Sequence, residues 1–177
     1  KATATPYDSG PHVKEESFTR AVSLALFDYL RKSHSRGFVV SLSGGADSTA
    51  VALLCGTMVH FGTRELGIAQ FRDKISYLHG ATHIDSAEAL VGELLTCVYQ
   101  ATRNSSDTTR SAASSVAASI GATFLEWDVD ALVQNYVQLI SGAIERELTW
   151  DQDDLALQNI QARVRGPGVW MLANLQG

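Results

Sequence analysis

Apolar positions change their spacing several times along this chain, and each change marks an element. From Ser17 to Lys32 they fall at Phe18, Val22, Ala25, Leu26, Tyr29 and Leu30, the three-to-four spacing of a helix with one buried face. Arg31 and Lys32 close it, where the helix dipole favours cations. After a turn over Ser33–Gly37, the run Phe38-Val39-Val40-Ser41-Leu42 predicts a strand buried on both faces, as in a parallel sheet. The apolar run from Thr49 to Cys55 continues as a helix to Met58 or His60, with Gly62 as its stop. Residues 63–93 are less regular. They predict a short helix over Arg64–Asp73, a loop over Tyr77–Thr82, and a helix over Ser86–Leu94 capped by Asp85 or Ser86. Leu95–Gln100 reads as a second strand, followed by the polar loop Thr102–Asp107. An Ala- and Ser-rich helix over Thr108–Ile120 ends at Gly121, and Thr123–Trp127 is a third strand. Helices over Ala131–Ile144 and Leu155–Arg165 flank the polar stretch Glu145–Asp154. Gly166-Pro167-Gly168 should end or kink the second of these before the apolar run Val169–Ala173.

Strand and helix thus alternate three times. That pattern predicts an α/β fold: a doubly wound, mostly parallel sheet with flanking helices and right-handed crossovers. Ligands of such sheets bind outside the carboxyl ends of the strands, where the loops at Ser43–Ser48 and Thr102–Asp107 would both lie. Residues 1–16, rich in Pro, Gly, Ser and charge, read as a linker or N-terminal arm.

Composition narrows the setting. A chain of 177 residues can bury one real core. The net charge is −5 and no more than two basic residues are adjacent, so no field would recruit nucleic acid. Any phosphate site must be local, built from backbone amides and a few arginines. Cys55 and Cys97 sit inside apolar runs and read as small core residues, which fits a reducing, cytoplasmic setting. No apolar run approaches the ~18 residues of a membrane span, and no membrane partner is expected. Trp127 and Trp170 are expected in the core. Asp151-Gln152-Asp153-Asp154 reads as a solvated turn, and His60, His79 and His83 lack the spacing of metal ligands.

The sharpest chemical signal is Ser43-Gly44-Gly45-Ala46-Asp47-Ser48, set between the first strand and its helix. Two glycines allow a sharp turn and a close approach of backbone to ligand. The first amides of a helix lack partners within it and attract anions. Ser43 and Ser48 add hydroxyls, and Asp47 adds a carboxylate able to hold Mg²⁺ beside a phosphate. A plainer reading is a strand-to-helix turn capped by Asp47. The complete six-residue string in this setting favours the anion site. The string lacks the lysine of a P-loop and the spacing of the dinucleotide fingerprint.

Ser-Gly-Gly-Ala-Asp-Ser resembles the signature loop of the ATP pyrophosphatases. Two further stretches resemble NAD synthetases, and the glutamine-dependent type in particular. One is Leu157-Gln158-Asn159-Ile160-Gln161-Ala162-Arg163-Val164-Arg165; the other is Thr96-Cys97-Val98-Tyr99 with Asn104-Ser105-Ser106-Asp107-Thr108. The resemblance covers residues 18–177. It implies an adenine nucleotide alpha hydrolase-like fold truncated on its C-terminal side, with residues 17–177 as the N-terminal portion of the ATP-binding domain. It further implies that Ser43, Gly44, Gly45, Ala46, Asp47 and Ser48 bind ATP, that Asp47 contacts Mg²⁺, and that Asn159, Arg163 and Arg165 bind substrate. The implied reaction is ATP-dependent amidation of nicotinic acid adenine dinucleotide (deamido-NAD) to NAD through an acyl-adenylate, with AMP and pyrophosphate released. Ammonia is the amide donor, supplied in the glutamine-dependent branch by an amidase domain, and a homo-oligomer is expected. That family's synthetase domain has further segments after the Gln-Ala-Arg helix, so the 177 residues alone are expected to be inactive. The alternatives are another amide ligase of the same superfamily, such as a GMP synthetase-like enzyme, or a non-catalytic nucleotide-binding or dimerisation domain. For Arg163 the plainer role is a surface ion pair with Asp153 or Asp154. For Ser105 and Ser106 it is a turn.

Overall fold

The three apolar runs pair side by side as one parallel sheet in the order β1-β2-β3. The computed structural model describes residues 10–176. In chain order the elements are α1 (Val13–Ser33), β1 (Phe38–Ser41), α2 (Ala46–Leu66), α3 (Ile68–Lys74), a 3-10 turn (His79–His83), α4 (Ala87–Leu94), β2 (Leu95–Ala101), α5 (Asp107–Ile120), β3 (Thr123–Asp128), α6 (Asp130–Ala143), α7 (Trp150–Arg163) and α8 (Arg165–Gln176). Val40 stands opposite Cys97, and Cys97 opposite Phe124. Because strand side chains alternate, these three share one face with Leu42 and Tyr99. That face packs into the main core with Ala52, Cys55, Val59, Ala113 and Ala117 from α2 and α5. The opposite face carries Thr96, Gln100 and Trp127, and α8 covers it. Helices therefore flank both faces, and β2, with partners on both sides, is buried over Leu95–Gln100.

Several caps follow from side-chain chemistry. Ser86, rather than Asp85, caps α4, its Oγ accepting from Ala89 N at 3.1 Å. Ser106 caps α5 in the same way through Thr109 N. Gly121 ends α5 with φ +76°, the left-handed conformation expected of a terminal glycine.

Other expectations are corrected. Most of the expected arm lies outside the described residues. Within them, α1 begins at Val13, earlier than Ser17, with Glu15 and Glu16 placed favourably in its first turn. Helix α2 does not stop at Gly62 but runs on to Leu66, and Gly67 ends it. Gly62 serves packing instead: a Cβ there would stand 2.5 Å from the Phe71 ring. The loop expected over Tyr77–Thr82 contains the 3-10 turn. Helix α7 starts at Trp150, so the exposed residues Asp151, Gln152 and Asp154 belong to its first turns, which are broken by non-helical dihedrals at Asp153 (φ −125°, ψ 22°). Pro167 explains why α7 stops at Arg163, since its ring would clash with the carbonyl four residues back. Gly166-Pro167-Gly168 instead forms the first turn of α8, where a missing N–H costs nothing. Trp170 is 73% exposed and lies outside the core, while Trp127 is half-buried against Gly168. A small second cluster of Val129, Val133 and Val164 joins α6 to α7.

Candidate functional site

The loop after β1 is shaped by a steric constraint. Gly44 has φ +78°, and a Cβ on it would stand 2.4 Å from the carbonyl oxygen of Thr109 in α5. Only glycine meets both conditions without displacing backbone. The loop is thereby pressed against the first turn of α5, so the N-terminal ends of α2 and α5 meet beyond the carboxyl edge of the sheet. Both ends favour negative charge. Gly45, extended at φ −91°, is the N-cap of α2.

Within the loop the hydroxyls hold one another. Ser43 Oγ and Ser48 Oγ are 2.9 Å apart. Ser43 N donates to Ser48 Oγ at 3.1 Å, and Gly45 N donates to Ser43 Oγ at 3.2 Å. The donors that would grip a phosphate are therefore preformed and loosely satisfied, and an anion replaces weak internal bonds instead of ordering a free chain. Ala46 and Asp47 are exposed in the first turn of α2. No ion pair engages Asp47 among the described residues. A single carboxylate of this kind suits Mg²⁺, which is commonly held by one or two carboxylates together with substrate phosphates and water. No cluster of three or more metal-ligating side chains occurs among the described residues.

The second loop is clamped from β3's side. Arg103 grips Asp130 through Nε at 2.9 Å and Nη2 at 2.7 Å, and its own N–H donates to the same carboxylate at 3.1 Å. These bonds hold the Asp130 carboxyl below its ordinary value. Ser105 Oγ accepts from Thr102 N, so both serines of the Asn-Ser-Ser turn have local structural work as turn and cap. Asn104 Nδ2 reaches Gln161 Oε1 at 3.3 Å, which ties α7 to this turn.

The expected substrate residues divide into two groups. Asn159 and Arg163 share an exposed face of α7 and bond to each other, Arg163 Nη1 donating to Asn159 Oδ1 at 2.7 Å. Arg163 does not pair with Asp153, which is held by Arg146. It is Gln161, on the other side of α7, that faces the loops. Arg165 is half-buried, with Nη1 donating to Gln161 O at 2.8 Å and Nε to Gln100 O at 3.2 Å. Sequence reasoning missed Gln100, Arg103, Thr109 and Asp130. A glutamine in a strand otherwise made of apolar side chains and threonine was the available signal for Gln100. Nothing in the spacing pointed to the others.

Comparison with known proteins gives consistent matches. The family model described as NAD synthase matches residues 18–177. A glutamine-dependent NAD(+) synthetase of Oryza sativa subsp. indica is 35% identical over 176 residues, covering 93% of this chain and 24% of the relative. The crystal structure of a glutamine-dependent NAD(+) synthetase from Cytophaga hutchinsonii superposes with a TM-score of 0.87 at 47% identity, over 92% of this chain and 30% of that one. The glutamine-dependent NAD+ synthetase from Acinetobacter baumannii, solved with ADP, shares the fold at a TM-score of 0.66 and 19% identity, over 96% of this chain and 26% of that one. The chain thus spans about a quarter of the length of the curated relatives it matches.

Proposed function

This chain belongs to the NAD synthase family, and from that premise we propose that it supplies the ATP-binding portion of an enzyme that amidates deamido-NAD. The nicotinate carboxylate attacks the α-phosphorus of ATP and pyrophosphate leaves. Ammonia then attacks the acyl carbon of the adenylate, loses a proton and displaces AMP, leaving the carboxamide of NAD. No side chain need form a covalent bond. Catalysis rests on positioning and on spreading the charge of the leaving pyrophosphate.

One observation carries this reading: a Ser-Gly-Gly-Ala-Asp-Ser loop pressed by Gly44 against α5, with its donors preformed at two helix N-termini. In the proposed site Ser43, Gly44, Gly45, Ala46 and Ser48 hold the β- and γ-phosphates. Asp47 with phosphate oxygens would hold Mg²⁺, which when bound would neutralise part of the pyrophosphate charge. Arg165, Asn159 and Arg163 contact the dinucleotide. The ADP bound in the Acinetobacter baumannii relative supports an adenine nucleotide as ligand. Ammonia comes from an amidase partner domain, as expected of a glutamine-dependent enzyme, and the setting is cytoplasmic. No described helix is long and apolar enough to cross a membrane.

Titration calorimetry with ATP and Mg²⁺ tests the reading. Binding is expected for the wild-type chain and about tenfold weaker for Asp47→Asn and Ser48→Ala, the loss of one charge-assisted or hydroxyl contact. Equal affinity in all three would overturn it. Competition by deamido-NAD analogues, but not by xanthylate, separates this reaction from that of a GMP synthetase-like ligase.

A second copy is the proposed partner of α6. Leu132, Tyr136, Leu139 and Ile140 form one exposed apolar stripe on that helix, beside the valines of its α7 contact.

A further inference from the structure

Gln100 lies near the carboxyl end of β2, on the face covered by α8, and is 4% exposed. Its side-chain nitrogen donates to two oxygens: Ser41 Oγ at 3.1 Å and the Arg165 carbonyl at 2.9 Å. Arg165 answers through Nε, which donates to the Gln100 carbonyl at 3.2 Å. The two residues therefore hold each other by a reciprocal pair of bonds. The amide's orientation follows from its partners, because the Arg165 carbonyl can only accept. Gln100 Oε1 is left sealed from solvent with no partner among the described residues. A buried acceptor without a donor is costly. An amide that merely filled space here would be worse than methionine, so the value of Gln100 lies in its donors.

We propose that Gln100 is a positioning residue that fixes Arg165 relative to the phosphate loop. Ser41 precedes Ser43 by two positions in the chain, so one side-chain amide ties the strand feeding the loop to the helix turn bearing the arginine. Gly168 completes the arrangement. A Cβ there would stand 3.1 Å from the Trp127 ring, so glycine lets the first turn of α8 approach β3 closely enough for Gln100 to reach. The inference rests on the proposed reading of Arg165 as a contact of the dinucleotide.

The test uses the full 177-residue chain. Hydrogen exchange of the Arg165 Nε–H, followed by nitrogen-15 NMR, needs no ligand. In Gln100→Met it is expected to accelerate about tenfold, because the Arg165 carbonyl loses its side-chain donor and the helix turn loosens from the main-chain carbonyl of residue 100 that the Nε–H bonds, with amides of α1 and α4 unchanged. Ser41→Ala should leave it unaltered. Unchanged Nε–H exchange in a folded Gln100→Met protein would overturn the proposal. The wild type provides a second reading should that variant unfold: the Gln100 side-chain amide protons must exchange slowly, and rapid exchange sinks the idea. For deamido-NAD, Gln100→Met and Arg165→Gln should each weaken binding about tenfold, and the double variant no further. Additive losses would count against coupling. If the wild type binds no deamido-NAD at all, the reading of Arg165 fails, while the exchange data still decide whether Gln100 holds it.

Discussion

Gly44 and Gly45 are adjacent, yet the fold asks different things of them. Gly44 combines a left-handed φ with a Cβ position inside the Thr109 carbonyl. Gly45 has an ordinary φ, and its Cβ would meet only Ser43 Oγ, at 3.3 Å. Gly44→Ala is therefore expected to destabilise by about 1–3 kcal/mol, the cost of an over-determined strained residue, and to abolish ATP binding. Gly45→Ala should melt within a few degrees of the wild type. Thermal melts of the two variants check the contrast, and equal losses would mean that the contact with α5 does not shape the loop. This distinction was not legible in the sequence. The string marked a candidate phosphate loop through its composition and setting, but which glycine is indispensable depends on where α5 lies. Gln100 was missed for the same reason, since its partners are 59 and 65 residues away.

Among the elements, the spacing of apolar residues located β1, β2 and β3 and the helices α1, α2, α5, α6 and α7, because a buried face repeats with its element's own period; it gave α8 only as an apolar run, and that helix buries none of its described residues. It failed at Gly62, where a residue that usually interrupts a helix packs instead against Phe71; at Gly166-Pro167-Gly168 the expected break is present, α7 ending at Arg163 before a new helix begins. It failed also at the start of α7, where a polar stretch is held by a local ion pair. Arg146 bonds both oxygens of Asp153, at 2.7 and 2.8 Å, and Thr149 N donates to the same carboxylate. The Arg146 contact, followed by the Thr149 N–H, holds the Asp153 carboxyl at about 2, below the ordinary 3.8. A depressed carboxyl stabilises the folded form above its unfolded value, and that contribution fades as pH falls through the folded one. Fraying of the first turn of α7 is thus expected between pH of about 4 and 2. A carbon-13 titration of Asp153 should find its midpoint near 2 in the wild type and higher in Arg146→Gln, still held below the ordinary value by the Thr149 N–H. A midpoint unchanged by that substitution would show that the pair does not hold the turn.

For the whole molecule, the alternation of strand and helix was enough to give the α/β class and to place the two candidate loops at the carboxyl end of the sheet. Which faces of the outer helices stay uncovered was not legible, since an apolar position buried against the core and one turned outward read alike. The outward stripe on α6 predicts association. Sedimentation is expected to show a concentration-dependent dimer, and Leu139→Asp with Ile140→Lys should return it to monomer; a monomeric wild type at high concentration would discount the stripe. The two halves of the candidate site also differ in how they are supported. The turn after β2 rises from the central strand and is clamped to α6 by Arg103.

The phosphate loop rises from β1, which among the described residues has a paired strand on one side only. The Leu42 amide points inward to the Val98 carbonyl, so by alternation those of Val39 and Ser41 point outward, towards the sheet's open margin. The strand thus keeps two clocks. Its inward amides are expected to trade protons with water on the slow schedule of the core, and its outward ones on a faster one. The loop that would hold the nucleotide is anchored by the slow side and carried by the fast one.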